Sequence, residues 1–126
     1  MKVADLEGAL LDYWVAKADN RVDVVMENGE AVTYRSGGLR RSYVPSNDWG
    51  LAGPIIERER ISIISGATEW RGKVHWLAVK DADVVAYTGE ADVRGSAEGV
   101  GCAPLIAAMR CFVKSKYGEE VPDGND

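Results

Sequence analysis

Apolar and polar positions along this chain fall into blocks of different period. From Asp5 to Asp19, Leu6, Leu10, Tyr13 (with Trp14) and Lys17 recur at three-to-four spacing, which predicts a helix capped by Asp5. The next block, RVDVVMENGEAVTYRS, changes to period two. Val22, Val24 and Met26 share one side, and Val32 and Tyr34 resume the alternation beyond Asn28–Gly29. An Asn-Gly pair between two alternating runs predicts a hairpin of strands 21–27 and 30–36.

GGLRRSYVPS reads as loop, with a short extended piece at 41–44 because Val44 precedes a proline. Ser46 or Asn47 suits the cap of a helix starting near Asp48. Gly53–Pro54 falls in the middle of that helix, so the pattern predicts a turn at 48–52 and a short amphipathic helix with Pro54 at its first position. RISIIS at 60–65 and KVHWLAVK at 73–80 read as strands, the second apolar on both faces and therefore central and covered on both sides. Residues 81–101 are rich in Gly, Ala and acids and predict one short strand at 84–88 with loop around it. Pro104, a stripe of Leu105, Met109, Phe112, Val113 and Lys116, and then Gly118 define a C-terminal helix. The sum is an α+β fold: an antiparallel sheet of about four strands with an N-terminal helix, a C-terminal helix and a short middle helix.

Composition narrows the function classes. A length of 126 residues predicts one domain, 1–118, followed by an acidic tail at 119–126. No apolar run approaches the roughly 18 residues that a membrane span needs. Asp5, Glu7 and Asp12 interrupt the first apolar stretch, which argues against a secretory signal. Cys102 and Cys111 read as unpaired thiols in a reducing compartment, so the expected location is the cytosol. The net charge of −5 disfavours wrapping of duplex nucleic acid. Within that acidic chain, residues 35–80 carry eight basic side chains against four acidic ones, a locally positive middle able to hold a small anion.

Catalytic motifs are not found. The single histidine, His75, lies between Val74 and Trp76 in a predicted strand and reads as structural. There is no P-loop, no GxGxxG after a strand, no HExxH and no GxSxG. GSAEGVG is like a phosphate loop in glycine content alone. The expectation is a non-enzymatic protein without cofactor or metal. Arg35, Arg40, Arg41 and Tyr43 follow one another without an intervening acid, and guanidinium forks match phosphate oxygens, so this loop reads as an anion clamp. Trp14 and Trp76 follow the periodicities of core positions, whereas Trp49 lies at a junction where a ring either seals the core or stacks on a ligand.

Three blocks carry a resemblance: LEGALLDYWVAKADN, YVPSNDWGLAGPIIERERISI and APLIAAMRCFVKSKYGEEV, together about half of the chain. With Ser46, Asp48 and Trp49 ahead of Gly-Pro-Ile-Ile-Glu (Gly53 to Glu57) and the Pro-Leu-Ile-Ala-Ala-Met-Arg helix (Pro104 to Arg110), the chain resembles the NinX-like family of small phage proteins, whose role is uncharacterised. It departs at Ala103, where a hydroxyl residue is expected to cap the last helix, leaving Cys102 or the Gly101 backbone for that task. The resemblance implies a phage or prophage origin and a bacterial cytosol, and it supplies no catalytic residues.

Two readings follow. In the first, a phage accessory protein sequesters a small anionic, nucleotide-type signal of host antiphage defence, as a sponge. Arg35, Arg40, Arg41, Tyr43, Ser46, Asp48 and Trp49 form its ligand site, with Tyr43 or Trp49 stacking on the base. In the second, Trp49 and Ile56 bind a host or phage protein. Exposed edge strands further allow homo-oligomers, with a ligand site between subunits.

Overall fold

The computed structural model describes residues 1–34, 37–70, 73–87 and 90–122. A short 3-10 turn at Val3–Asp5 leads into α1 (Gly8–Ala18), then β1 (Val24–Glu27), β2 (Glu30–Tyr34) and β3 (Arg40–Ser42). α2 (Trp49–Arg58), β4 (Ile61–Trp70), β5 (Lys73–Lys80), β6 (Asp83–Tyr87), β7 (Glu90–Arg94), β8 (Ala97–Gly101) and α3 (Pro104–Tyr117) complete the chain. This is the α+β arrangement of three helices and antiparallel strands that the pattern predicts. The strands are divided between two three-stranded sheets, β1-β2-β3 and β4-β5-β8, with β6-β7 as a separate hairpin.

α3 is the centre of the molecule. One side packs on β4, β5 and β8, and another meets α1, which in turn covers β1 and β2. Leu105, Met109, Phe112 and Val113 of the predicted stripe are buried, joined by Ala107, Ala108 and Cys111. Burial pushes the Cys111 thiol up to about 11, so it is an inert core group, while Cys102 is exposed and likewise unpaired. Arg110 spans the layers, donating from Nε to the Leu6 carbonyl at 2.8 Å and from Nη1 to the Val100 carbonyl at 2.9 Å. β5 is the middle strand of its sheet, as its two apolar faces require, and His75 on it is buried.

The hairpin forms as Asn28–Gly29 dictates, with both residues at positive φ (52° and 79°) and Glu27 opposite Glu30. Its first strand begins later than expected. Val22 is 96 % exposed and Met26 is also exposed, so of the predicted stripe Val22, Val24 and Met26 only Val24 reaches the core.

Further expectations are corrected. Asp5 does not cap α1. It belongs to the 3-10 turn, and an extended Leu6–Glu7 step buries Leu6 before the helix opens at Gly8. α2 is not broken at Gly53–Pro54. Asp48, rather than Ser46 or Asn47, caps it by accepting from the Gly50 N–H at 2.8 Å. Pro54 lies inside this helix, where it has no N–H to donate to the Gly50 carbonyl, and both Gly50 and Pro54 are exposed to solvent.

Within 81–101, expected to be mostly loop, the described residues Asp83–Tyr87, Glu90–Arg94 and Ala97–Gly101 are strands. A β-carbon on Gly99 would lie 2.3 Å from the Ala107 carbonyl oxygen, and one on Gly101 would lie 2.8 Å from the Ala107 nitrogen. The glycines of GSAEGVG therefore let β8 press against the backbone of α3. Ala103 caps α3 without any side-chain hydrogen bond, so Cys102 does not take that role.

Residues 119–121 are not a frayed tail. The Glu119 carbonyl accepts from the Val3 N–H, the Val121 N–H donates to the Met1 carbonyl, and Val121 is buried. Residues 123–126 lie outside the described residues.

Candidate functional site

The residues singled out from the sequence do not converge. Arg35 lies outside the described residues. Arg40 and Arg41 are consecutive in the extended strand β3 and so project from opposite faces of the sheet, which prevents them from gripping one ligand together. Arg40 shares its face with Glu27 and Glu30 and pairs with both, at 3.4 Å and 2.9 Å, and Tyr34 donates its hydroxyl to the same Glu27. Arg41 stands opposite Thr33 on the other face, exposed. Tyr43 is only 2 % exposed, with its N–H donated to Ala31 and its hydroxyl driven upward in pKa by burial. It is a core residue with no ring face left for a base.

Ser46 and Asp48 work within the fold. The Ser46 N–H donates to Asp12 Oδ1 at 2.8 Å, tying the turn before α2 to α1. Asp12 itself is 2 % exposed, and burial raises its pKa against the opposing pull of these Ser46 bonds. Asp48 is the α2 cap. Trp49, at the first position of α2, is 57 % exposed. Ile56 follows two turns later on the same shoulder of the helix, about 10 Å along it. Ile56 also borders a cavity of about 350 Å³ with Glu57, Arg60, Ile61, Ser62 and Ala82.

A second cavity brings together residues that the sequence reading passed over. α1 ends in a Schellman motif: the Asn20 N–H bonds to the Lys17 carbonyl at 3.1 Å and the Arg21 N–H to the Ala16 carbonyl at 2.8 Å. Asn20 takes the left-handed conformation, φ 57°, that glycine usually supplies there. The tight turn folds Arg21 and Val22 back beside the last turns of the helix. Tyr13, Lys17, Asn20, Arg21, Val22 and Val24 then line a cavity of about 370 Å³.

Each cation of this cavity is held on an aromatic ring. Lys17 Nζ sits 5.3 Å from the centre of the Tyr13 ring and 6.0 Å from that of Trp14. The Arg21 guanidinium lies 4.7 Å over Tyr43 and grips Asp23 through two hydrogen bonds, Nε–Oδ1 at 3.1 Å and Nη2–Oδ2 at 2.7 Å. Asp23 also accepts the Thr33 hydroxyl at 2.8 Å. Those donors, Arg21 first and Thr33 second, hold the Asp23 carboxyl down at about 2. By strand register Val24, Thr33 and Arg41 lie side by side on one sheet face, so Arg41 flanks the cavity without lining it. The arrangement is suited to binding a small anion with a flat apolar part. Among the described residues no group of three His, Cys, Asp or Glu side chains is placed to hold a metal ion.

A family model described as Bacteriophage P22, NinX matches residues 2–116. The chain belongs to the NinX family. The match spans α1 with its cap, the α2 segment and nearly all of α3, so both cavities lie within the NinX unit. No curated protein matches the chain. Among the described residues of this NinX protein no helix is long and apolar enough to cross a membrane.

The signal for this cavity was present in DNR, residues 19–21. An Asn directly after a helix marks a left-handed cap, and the Arg that follows is turned back toward the cation one helical turn before.

Proposed function

We propose that this NinX protein is a non-catalytic accessory protein that captures a small anionic ligand where α1 gives way to β1. One observation carries the reading: Tyr13, Lys17 and Arg21, a ring and two cations, line a single cavity of about 370 Å³. That volume lies in the range of roughly 300–1,000 Å³ typical of small-molecule sites. Asn20 adds an amide that both donates and accepts, as recognition of a nucleobase edge requires. The ligand is accordingly of nucleotide type, and capture in the cytosol of a host bacterium lowers the free level of such a signal in antiphage defence. Arg41 contributes as a flanking charge, and Arg40 does not.

Native mass spectrometry against a panel of nucleotides and cyclic dinucleotides tests this. The expected result is a stoichiometric adduct that Lys17→Ala weakens at least tenfold, and the same spectrum gives the subunit count. No adduct anywhere on the panel contradicts it.

The exposure of Trp49 favours a second reading, docking of a host or phage protein on the α2 shoulder. That reading requires Trp49→Ala or Ile56→Asp to abolish capture of one defined partner while Lys17→Ala leaves it intact.

A further inference from the structure

We infer that a second copy of this chain docks along β4, antiparallel to it and about a two-fold axis at Ser62. This interface is separate from the α1-cap cavity and does not depend on the capture reading.

Natural sheet edges carry charges, prolines or bulges that deter pairing. β3 is two arginines and a serine, β8 carries Glu98, and β1 ends on Glu27. β4 is the other edge of its sheet, and its opening run, Ile61-Ser62-Ile63-Ile64-Ser65, holds no charge and no proline. The register against β5 slips only between Ile64 and Thr68, so Ile61 to Ile64 stay in regular pairing.

The backbone phase of this run follows from the turn ahead of it. The Asp81 N–H donates to the Arg60 carbonyl at 2.9 Å. Arg60 and Ser62 therefore turn their backbone groups toward β5, and Ile61 and Ile63 turn theirs outward. Among the described residues β5 is the one strand paired with β4, whose main other neighbours are α3 and the end of α2.

Self-complementary charge points to a second copy as the occupant. Glu57, Arg60 and Ser62 line one cavity of about 350 Å³ with Ile56 and Ile61. Glu57 makes no ion pair among the described residues, and Arg60, its side chain 81 % exposed, meets Asp81 only at 3.7 Å. The exposed Asp83, next to the lining Ala82, adds to the acidic side of this corner. The remaining charges are engaged: Glu59 with Arg58, Lys80 and Lys116, and Lys80 also with Asp81. An axis at Ser62 pairs Ile61 with Ile63 of the second copy and sets the two cavities side by side on one sheet face. Each Arg60 then faces Glu57 of the other copy, the reciprocal contact that a two-fold interface requires.

Sedimentation velocity of the full chain over about a hundredfold range of concentration, with amide hydrogen exchange at both ends of that range, tests this. A reversible dimer is expected. The Ile61 and Ile63 amides, and not that of Ser62, exchange at least tenfold more slowly at the high end. Ser62→Lys, at an exposed position, sets two ammonium groups at the axis and weakens the dimer at least tenfold. Arg60→Glu weakens it as much by opposing Glu57, and the double swap Glu57→Arg with Arg60→Glu restores it to within about threefold. A monomer at every concentration overturns the inference and leaves the edge to a foreign strand. A dimer that tolerates both Ser62→Lys and Arg60→Glu, or that protects amides of β1, β3 or β8 instead, also overturns it. A double swap as weak as Arg60→Glu overturns the pairing of Glu57 with Arg60.

Discussion

The two three-stranded sheets use their sequences in opposite ways. In β4-β5-β8 the glycine-rich strand is spent on contact. Gly99 and Gly101 bring backbone against the backbone of α3, and the thiol behind them, Cys111, is sealed. In β1-β2-β3 the outer surface carries charges that answer one another across the strands, and its start, beside the α1 cap, opens into the Tyr13–Lys17–Arg21 cavity. Glycine content, which resembles a phosphate loop, marks close packing of backbone on backbone. The cap sequence Asp19-Asn20-Arg21, which reads as an ordinary turn, marks the side that carries the proposed site.

The sharpest way to break this contrast is Gly99→Ala. One methyl group would meet backbone atoms at 2.3 and 2.5 Å that cannot move aside without shifting α3. We expect a loss of about 3 kcal/mol in chemical denaturation, or no folded protein at all. A loss below about 1 kcal/mol would mean that β8 and α3 are not packed through backbone contact. Asp48→Ala probes the α2 side more gently. Removing the one side-chain cap of that helix is expected to cost about 1 kcal/mol, read from the urea midpoint, with no change in ligand capture.

What was legible in the sequence followed from strong local rules. Asn28–Gly29 set the hairpin, Pro104 and Gly118 bounded α3, and the doubly apolar KVHWLAVK became the central strand. What was not legible depended on partners distant in sequence. Gly95, Gly99 and Gly101 look like loop until α3 and the end of β5 are seen against them. Tyr43 looks like a stacking residue until Ala31 and Arg21 enclose it. Arg40 and Arg41 look like a clamp until strand geometry sends them to opposite faces. The cavity joins residues separated by only a few positions, yet it exists only because the chain turns back at Asn20.

The smallest expected effect distinguishes the two aspartates near the site by sign. Burial raises Asp12, so between the ordinary carboxylate range and its raised folded value the native state holds more protons than the unfolded chain. Stability therefore falls as pH rises through that window, and Asp12→Asn should flatten the fall. Asp23 is depressed to about 2, so its contribution is present above the ordinary carboxylate range and is lost as pH falls toward 2. Its exposure to solvent keeps that contribution small. Urea midpoints collected against pH for wild type, Asp12→Asn and Asp23→Asn read both slopes. Slopes of the same sign would contradict the environments described.

The most direct test of the central claim, that the site lies at the α1 cap rather than on β3 or α2, is amide chemical-shift mapping with cyclic adenosine monophosphate. The account predicts saturable shifts confined to Tyr13–Val24 and the adjoining Thr33 and Arg41. Shifts centred instead on Arg40 or on Trp49 to Ile56, with the α1 cap unmoved, would contradict it.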